Sequence, residues 1–318
     1  MKNICVIGTG QMGPGIAQTC ALAGYNTTII GRTDEALQRA RATVEANLAA
    51  MLPYKLVTPD EITSMWARLR FDIWMENIAP SDLIIEAVTE NLELKQRMFS
   101  ELESFVRDDA IFASNTSGMR ATELSKTMRH PERMLVTHYF NPAHLLPLVE
   151  VVPGEHTSAT TSEAVLTFLK STGHVPVLCK KEVLGFIANR LQHAMWREAL
   201  ALVENGVASP DEIDQALKNS FGARTPVLGI FEHLDLVGAD MVLALHTYLL
   251  ADLDAQRAPN KLLRDKVAAG ETGAKVGKGF YDWGPGGKVA ADVLRARDTQ
   301  LLELAQKRRA AGQVTSER

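Results

Sequence analysis

Over its first half the chain alternates short, fully apolar runs that end in glycine or polar turns with longer stretches of helical periodicity. Asn3-Ile-Cys-Val-Ile7 reads as a buried strand, and the stretch from Gly8 to Gly24 as a glycine turn followed by a helix that glycine closes. A second strand is expected at Tyr25–Ile30. Residues 34 to 70 carry apolar positions at helical spacing, broken at Pro53 and restarted behind Thr58 as an N-cap. Ser81–Glu86 returns to a strand, with a helix beginning near Glu90. Asp109–Ser114 is another buried strand that runs into the polar turn Asn115-Thr-Ser-Gly118. After one more helix, the β-type runs Met134–His138 and Leu148–Val152 flank an irregular turn carrying Asn141-Pro142. This alternation predicts an α/β fold with a doubly wound parallel sheet, in which the carboxyl ends of the strands line a ligand crevice. Glu90, Ser117 and His138 are expected at the same edge of that sheet.

Beyond Glu182 the pattern changes to helices. The run from Asn189 to Gly206 keeps helical periodicity, Ser209-Pro210 opens a further helix as N-cap and first residue, and helices continue to about Asp254. The second domain is therefore expected to be all-α. Val289–Arg309 reads as an additional amphipathic helix with Leu294, Leu301, Leu302 and Leu304 on its apolar side. The boundaries expected from these changes are residues 1–184, 185–284 and a tail at 285–318.

Composition narrows the function classes. The 318 residues exceed what one hydrophobic core normally serves, so two domains are the default. Hydrophobic content of 46%, charged content of 23% and a mean hydropathy of -0.05 describe an ordinary globular protein. A net charge of -4 and a pI near 6.1 provide no electrostatic footprint for nucleic acid or an anionic membrane. Cys5, Cys20 and Cys179 are far apart and lack zinc-binding or redox spacing, so neither a disulfide framework nor a metal is expected. No targeting leader or membrane span is read in the chain, and a reducing, cytoplasmic setting is expected.

Gly8-Thr-Gly10-Gln11-Met12-Gly13 directly follows the first strand, the context a dinucleotide fingerprint requires and the mark of a Rossmann-type domain. Gly8 permits the turn, Gly10 allows the backbone to approach a pyrophosphate, and Gly13 lets the helix sit close to the strand with its N-terminus facing the anion. At the end of the second strand an acidic residue normally accepts from the ribose 2′-hydroxyl of NAD. Here the chain has Gly31, Arg32 and Thr33, so the cofactor is expected to be NADP in preference to NAD, with Arg32 facing a 2′-phosphate. The alternative leaves Arg32 stacked on adenine or in solvent while Asp34 takes the ribose.

His138 and Glu150 occupy the two runs around the Asn-Pro turn. An imidazole backed by a carboxylate is a base poised near neutral pH, able to take a proton from a hydroxyl. With GTGQMGPGIAQ, EAVTENLELK, SNTSG, HYFNPAHLLPLVEVV, GFIANRL and VGKGFYDW in this order, the chain resembles the L-3-hydroxyacyl-CoA dehydrogenase family over nearly its whole length. That resemblance implies His138 as catalytic base, Glu150 as its partner, and Ser117 and Asn189 as hydrogen-bonding partners of substrate oxygens. It also implies cofactor contacts at Glu90, Lys95, Asn141 and Lys275, and a homodimer built through the helical domain. His144, drawn with His138 and Glu150, would complete a metal triad, yet the intervening prolines and the resemblance favour a loop histidine.

Several features depart from the fatty-acid enzymes of the family. Leu-Leu-Pro147 precedes Leu-Val-Glu150 where Met-Lys is usual, and Gly118 stands where serine is common. The helical hairpin at 48 to 70, which in acyl-CoA members offers lysines to the nucleotide phosphates, has only Lys55, Arg68 and Arg70. The tail and the PLVEV segment resemble L-gulonate 3-dehydrogenase, a lambda-crystallin relative, and carnitine 3-dehydrogenase. The expected substrate is a small molecule with a hydroxyl β to a carboxyl or thioester, as CoA ester or free acid. A dinucleotide-binding protein without turnover, and a hydratase or isomerase using the same His-Glu pair, are the alternatives from other classes.

Overall fold

The structure, a computed structural model, describes residues 1–316. The chain divides into two compact units: Met1–Asn189 together with the chain from Arg297, and Arg190–Ala296.

In the first unit, β1 (Asn3–Ile7), α1 (Gly13–Leu22), β2 (Asn26–Ile30), α2 (Asp34–Met51), α3 (Pro59–Arg68) and β3 (Leu69–Asp72) are followed by β4 (Leu83–Glu86), α4 (Leu92–Leu102) and β5 (Ile111–Ser114). The short helix α5 (Ala121–Leu124) leads to β6 (Met134–Tyr139), β7 (Leu148–Pro153), α6 (Ala159–Ser171) and β8 (Val175–Leu178). The strands form one eight-stranded sheet in the order β3-β2-β1-β4-β5-β6-β7-β8. All neighbours pair in parallel except β6 and β7, which are antiparallel.

Why the central strands read as unbroken apolar runs is plain from their burial: side chains on both faces are covered. Ile4 and Val6 enter one core cluster with Ile16, Ile29 and Leu83, while Cys5 and Ile7 enter the other with Ile84, Phe99 and Phe112. The period of two along each strand thus feeds two cores, one per face. Helix ends follow local chemistry. Thr58 caps α3 in a reciprocal box with Glu61, and Thr33 caps α2 by accepting from the Ala36 amide at 3.2 Å.

The expected sheet lacked two of these strands. β3 and β8 are edge strands of four residues; β3 directly continues the helical pattern of α3, and β8 carries Pro176, which a sheet tolerates only at its margin. The parallel, doubly wound character of the sheet and the capping at Thr58 agree with the expectation from the sequence. The helix expected near Glu90 starts at Leu92, with Asn91 as its N-cap.

The second unit is helical: α7 (Ala188–Glu204), which starts in the first unit, then α8 (Pro210–Lys218), α9 (Phe221–Arg224), α10 (Ile230–Val237), α11 (Ala239–Asp252) and α12 (Lys261–Ala268). Ser209 caps α8 in a box with Glu212. The last helix, α13 (Ala290–Ser316), opens in the second unit and belongs to the first from Arg297. There Leu302 is buried in the core cluster that holds Ile4 and Ile16, and Leu301 and Ala305 pack against it. Arg309 donates to the Leu56 carbonyl oxygen and pairs with Glu61 at 3.2 Å, which fastens α13 over the α2–α3 hairpin. Leu294, expected on the apolar side, is instead half exposed at 48%, because it precedes the docked segment. Among the described residues no single helix is long and apolar enough to cross a membrane.

Besides His138, the first unit withdraws His174, which is buried, and His144, which is half-buried, from solvent. Burial lowers both His144 and His174 to about 4. A histidine near 6.5 in the unfolded chain binds its proton first, so each contributes stability above pH 6.5 that is lost as pH falls towards 4. At pH 5 each is expected to cost about 2 kcal/mol relative to pH 7. Urea unfolding at the two pH values checks this: the wild type should weaken on acidification, and the His144→Gln, His174→Gln double variant should weaken markedly less.

Candidate functional site

The turn after β1 is shaped by what a side chain would strike. Gly8 has φ of +123°, and a β-carbon there would lie 2.4 Å from the Ala87 carbonyl oxygen; at Gly13 it would lie 1.9 Å from the Gly8 carbonyl oxygen. These contacts bring β1, the end of β4 and the first turn of α1 closer together than any larger residue allows. At Gly10, by contrast, nothing lies within 4 Å, and Met12 caps α1 without a side-chain hydrogen bond. The amide end of the helix and an open approach over Gly10 therefore suit a pyrophosphate, and the residues present fit a dinucleotide. Exposed Gln11 and half-buried Met12 complete the turn.

From this turn a cleft of about 900 Å³ extends between the ends of β1, β2 and β4. Arg32 lines it as the sequence reading expects, and so do Arg39 and Arg97, which that reading did not single out, opposed by Glu101. Gly31 lines it too; a β-carbon there would meet Leu37 Cδ2 at 2.7 Å and Thr9 Cγ2 at 2.9 Å. A side chain at position 31 would therefore have to displace Leu37 and Thr9.

Lys95, expected from the resemblance to contact a cofactor, is instead 1% exposed and engaged by protein. Its Nζ lies 2.9 Å from Glu86 Oε1 and 2.7 Å from Glu90 Oε2. Glu86, fully buried at the end of β4, also accepts from Ser114 Oγ at 2.5 Å and from the Val88 amide at 2.6 Å. Glu90 reaches onward: its Oε1 accepts from Thr116 Oγ1 at 2.5 Å and from the Ser117 amide at 3.0 Å. Burial would raise the Glu90 carboxyl, but Lys95, Thr116 and Ser117 outweigh it and hold it below the usual range. A buried cation thus ties the turns after β4 and β5 together. Glu86 and Thr116 escaped the sequence reading; the only signal was an acid ending an otherwise apolar strand, Leu-Ile-Ile-Glu86.

His138 and Glu150 are register partners on antiparallel β6 and β7, and His138 Nδ1 lies 2.7 Å from Glu150 Oε2. Both are buried, at 5% and 1% exposure. The other carboxylate oxygen, Oε1, accepts from the Ile187 and Ala188 amides, each at 2.8 Å. Burial pushes Glu150 up, yet the bonds from His138, Ala188 and Ile187 bring it below the ordinary carboxylate value. Glu150 is therefore an ionised acceptor that fixes the imidazole tautomer and leaves Nε2 as its working nitrogen. Asn189, in the first turn of α7, donates from Nδ2 to the Ser117 carbonyl oxygen at 3.3 Å. That bond joins the turn after β5 to the start of α7. Asn141 is exposed in the turn between β6 and β7, where its bond to Pro142 is cis. Lys275 is exposed in a single helical turn of the second unit. His144 is not beside the pair; its Nδ1 would be 3.6 Å from a β-carbon at Gly15 of α1. Among the described residues no three His, Cys, Asp or Glu side chains gather for a metal ion.

Comparison with known proteins agrees with this geometry. The model of the 3-hydroxyacyl-CoA dehydrogenase NAD-binding domain matches residues 3–183, and that of the family's C-terminal domain matches residues 185–283. The chain is 32% identical over 297 residues, 93% of it and 96% of the relative, to 5-formyl-3-hydroxy-2-methylpyridine 4-carboxylate 5-dehydrogenase of Mesorhizobium japonicum. A crystal structure of an enzyme of that name, described as an NAD+-dependent dismutase, superposes with a TM-score of 0.88 at 31% identity, covering 98% of both chains. (S)-3-hydroxybutyryl-CoA dehydrogenase from Ralstonia eutropha gives 0.76 at 34% identity, covering 89% of this chain and 99% of that one. With both family domains matched in order and the glycine turn and His-Glu pair in place, the chain belongs to the 3-hydroxyacyl-CoA dehydrogenase family.

Proposed function

We propose that this protein is an NAD(P)-dependent dehydrogenase that interconverts a hydroxyl and a ketone β to a carboxyl group, with His138 as its base. The observation that carries the reading is the 2.7 Å bond between His138 Nδ1 and Glu150 Oε2 on paired strands, in a chain whose first strand ends in a dinucleotide cradle. Glu150 accepts a hydrogen bond from the Nδ1–H and stays ionised, so Nε2 is free to take the proton of a substrate alcohol and to return it in the reverse direction. Ser117 and Asn189 hold the substrate oxygens by hydrogen bonds. Glu90, Asn141 and Lys275 contact the cofactor, and Lys95 acts behind Glu90. A bound nicotinamide supplies the chemistry that the side chains lack, accepting a hydride from the carbinol carbon as the proton leaves its oxygen.

Two observations support a free acid in place of a CoA ester. In the acyl-CoA members that the sequence resembles, the α2–α3 hairpin offers lysines to the nucleotide; here it is sparse in them and lies under α13, fastened through Arg309 and Leu302. Among relatives that cover 98% of this chain, the enzyme named for a pyridine carboxylic acid superposes at a TM-score of 0.88, against 0.67 for the 3-hydroxyacyl-CoA dehydrogenase of Archaeoglobus fulgidus. For the cofactor, we favour NADP. Arg32, Arg39 and Arg97 line one cleft, and position 31, at the end of β2, is a glycine whose β-carbon would meet Leu37 and Thr9. The second unit leaves Phe231 79%, Leu236 76% and Leu243 68% exposed on α10 and α11, an apolar face suited to a second copy of the chain. Three free, buried cysteines suit a cytoplasmic setting.

Nicotinamide absorbance, followed with NADP and NAD across free 3-hydroxy acids and their CoA esters, tests the reaction. Turnover of free acids without a gain from CoA is expected. A CoA ester favoured by orders of magnitude would remove the free-acid reading, and absence of any turnover would leave a dinucleotide-binding protein. In the same assay His138→Ala should lower kcat at least about 100-fold with the cofactor Kd nearly unchanged. Arg32→Ala should weaken NADP about tenfold and NAD far less; an equal effect on both sinks the phosphate argument. Sedimentation at micromolar concentration should read a dimer, and Leu243→Glu should yield monomer.

A further inference from the structure

Only two described residues other than glycine have positive φ, and they differ in kind. Lys55 is exposed and ends a single helical turn. Phe186 is 1% exposed, with φ of +51°, directly after Gly185 at +76°. A bulky side chain holds a left-handed backbone only where its surroundings over-determine it.

What surrounds Phe186 is the His-Glu pair. The two left-handed residues reverse the chain so that the next two amides, Ile187 and Ala188, both donate to Glu150 Oε1 at 2.8 Å. The Phe186 ring lies 5.5 Å from the His138 ring, centroid to centroid, and Phe140 lies 4.4 Å from the same imidazole. One residue thus touches the imidazole with its ring and delivers donors to the carboxylate with its backbone. We propose that Phe186 is a positioning residue for the His138–Glu150 pair: its left-handed backbone holds two amides on Glu150, and its ring braces the imidazole.

The amides matter for the base because they share the carboxylate with it. Each N–H neutralises part of the Glu150 charge, so removing them turns more of that charge on His138 and favours the imidazolium. Beside His138 on β6 and Glu150 on β7 stands Cys179 after β8, a thiol raised to about 11 by burial and by Glu150. Loss of the amide contacts is therefore read at His138.

The proposal rests on His138 as the base, but the imidazole titration reads it without turnover. Histidine-labelled protein, with the His138→Gln spectrum for assignment, is compared with Phe186→Val and Phe186→Gly. Valine cannot keep the left-handed backbone, whereas glycine keeps it and lacks the ring. Phe186→Val should move the His138 titration, and the acid limb of kcat/KM for alcohol oxidation, to higher pH, with kcat lowered at least about tenfold and cofactor KM unchanged. Phe186→Gly should keep the wild-type titration and lose kcat alone. Equal losses in both variants with an unmoved titration would make Phe186 merely structural and overturn the proposal. A wild-type titration and full kcat in Phe186→Val would do the same. Should Phe186→Val not fold, Phe186→Gly decides, since a displaced titration in it overturns the backbone role. Wild-type protein without turnover, but with the expected displacement, would remove the dehydrogenase reading and keep this one.

Discussion

An imidazole and a carboxylate face each other across two antiparallel strands in an otherwise parallel-paired sheet, and the placement of both depends on that reversal. In a parallel arrangement a crossover of many residues would separate the two strands, and their side chains would meet in slanted register. The short turn through Asn141 and Pro142 lets β7 return immediately beside β6, so that residue 138 has residue 150 directly opposite. A carboxylate buried this deeply is stable as an anion only when its oxygens are satisfied, and Glu150 has donors on both: His138 on one oxygen, Ile187 and Ala188 on the other.

A second buried charge, Lys95, gives the neighbouring turns a comparable rigidity. Its amine sits between Glu86 and Glu90, and through Glu90 it reaches Thr116 and Ser117. Removing one member would leave an uncompensated ion in the interior, which is typically far more damaging than the pair is stabilising. Such an arrangement trades little stability for a fixed geometry. Here the fixed object is the turn after β5, whose Ser117 carbonyl in turn receives Asn189.

Much of this was legible in the chain because the strands near the middle of the sheet are buried on both faces. Such strands leave unmistakable apolar runs, as at Ile4–Ile7 and Ile111–Ser114, and glycines at 8, 10 and 13 name their own geometry. The margins were not legible. Leu69-Arg-Phe-Asp72 covers little apolar surface as an edge strand, so it differs hardly at all from the helix before it. Lys95 was expected as a ligand contact because the resemblance places an amine there; a motif match does not show that two acids have already claimed it. Arg39 and Arg97 went unnoticed since they reach the cleft from two helices, a convergence that no local pattern contains. The amides of Ile187 and Ala188 have no side-chain signature whatever.

Helix α13 makes the core around β1 a product of segments about 300 residues apart. Leu302 packs in the same cluster as Ile4, so a contact spanning nearly the full sequence is needed before that face of the sheet is closed. During synthesis the residues of β1 emerge before those of α13 and must wait, with the face that Leu302 covers left open, until α13 has emerged. For this protein the order of manufacture and the order of completion differ: the domain that is made first is finished last.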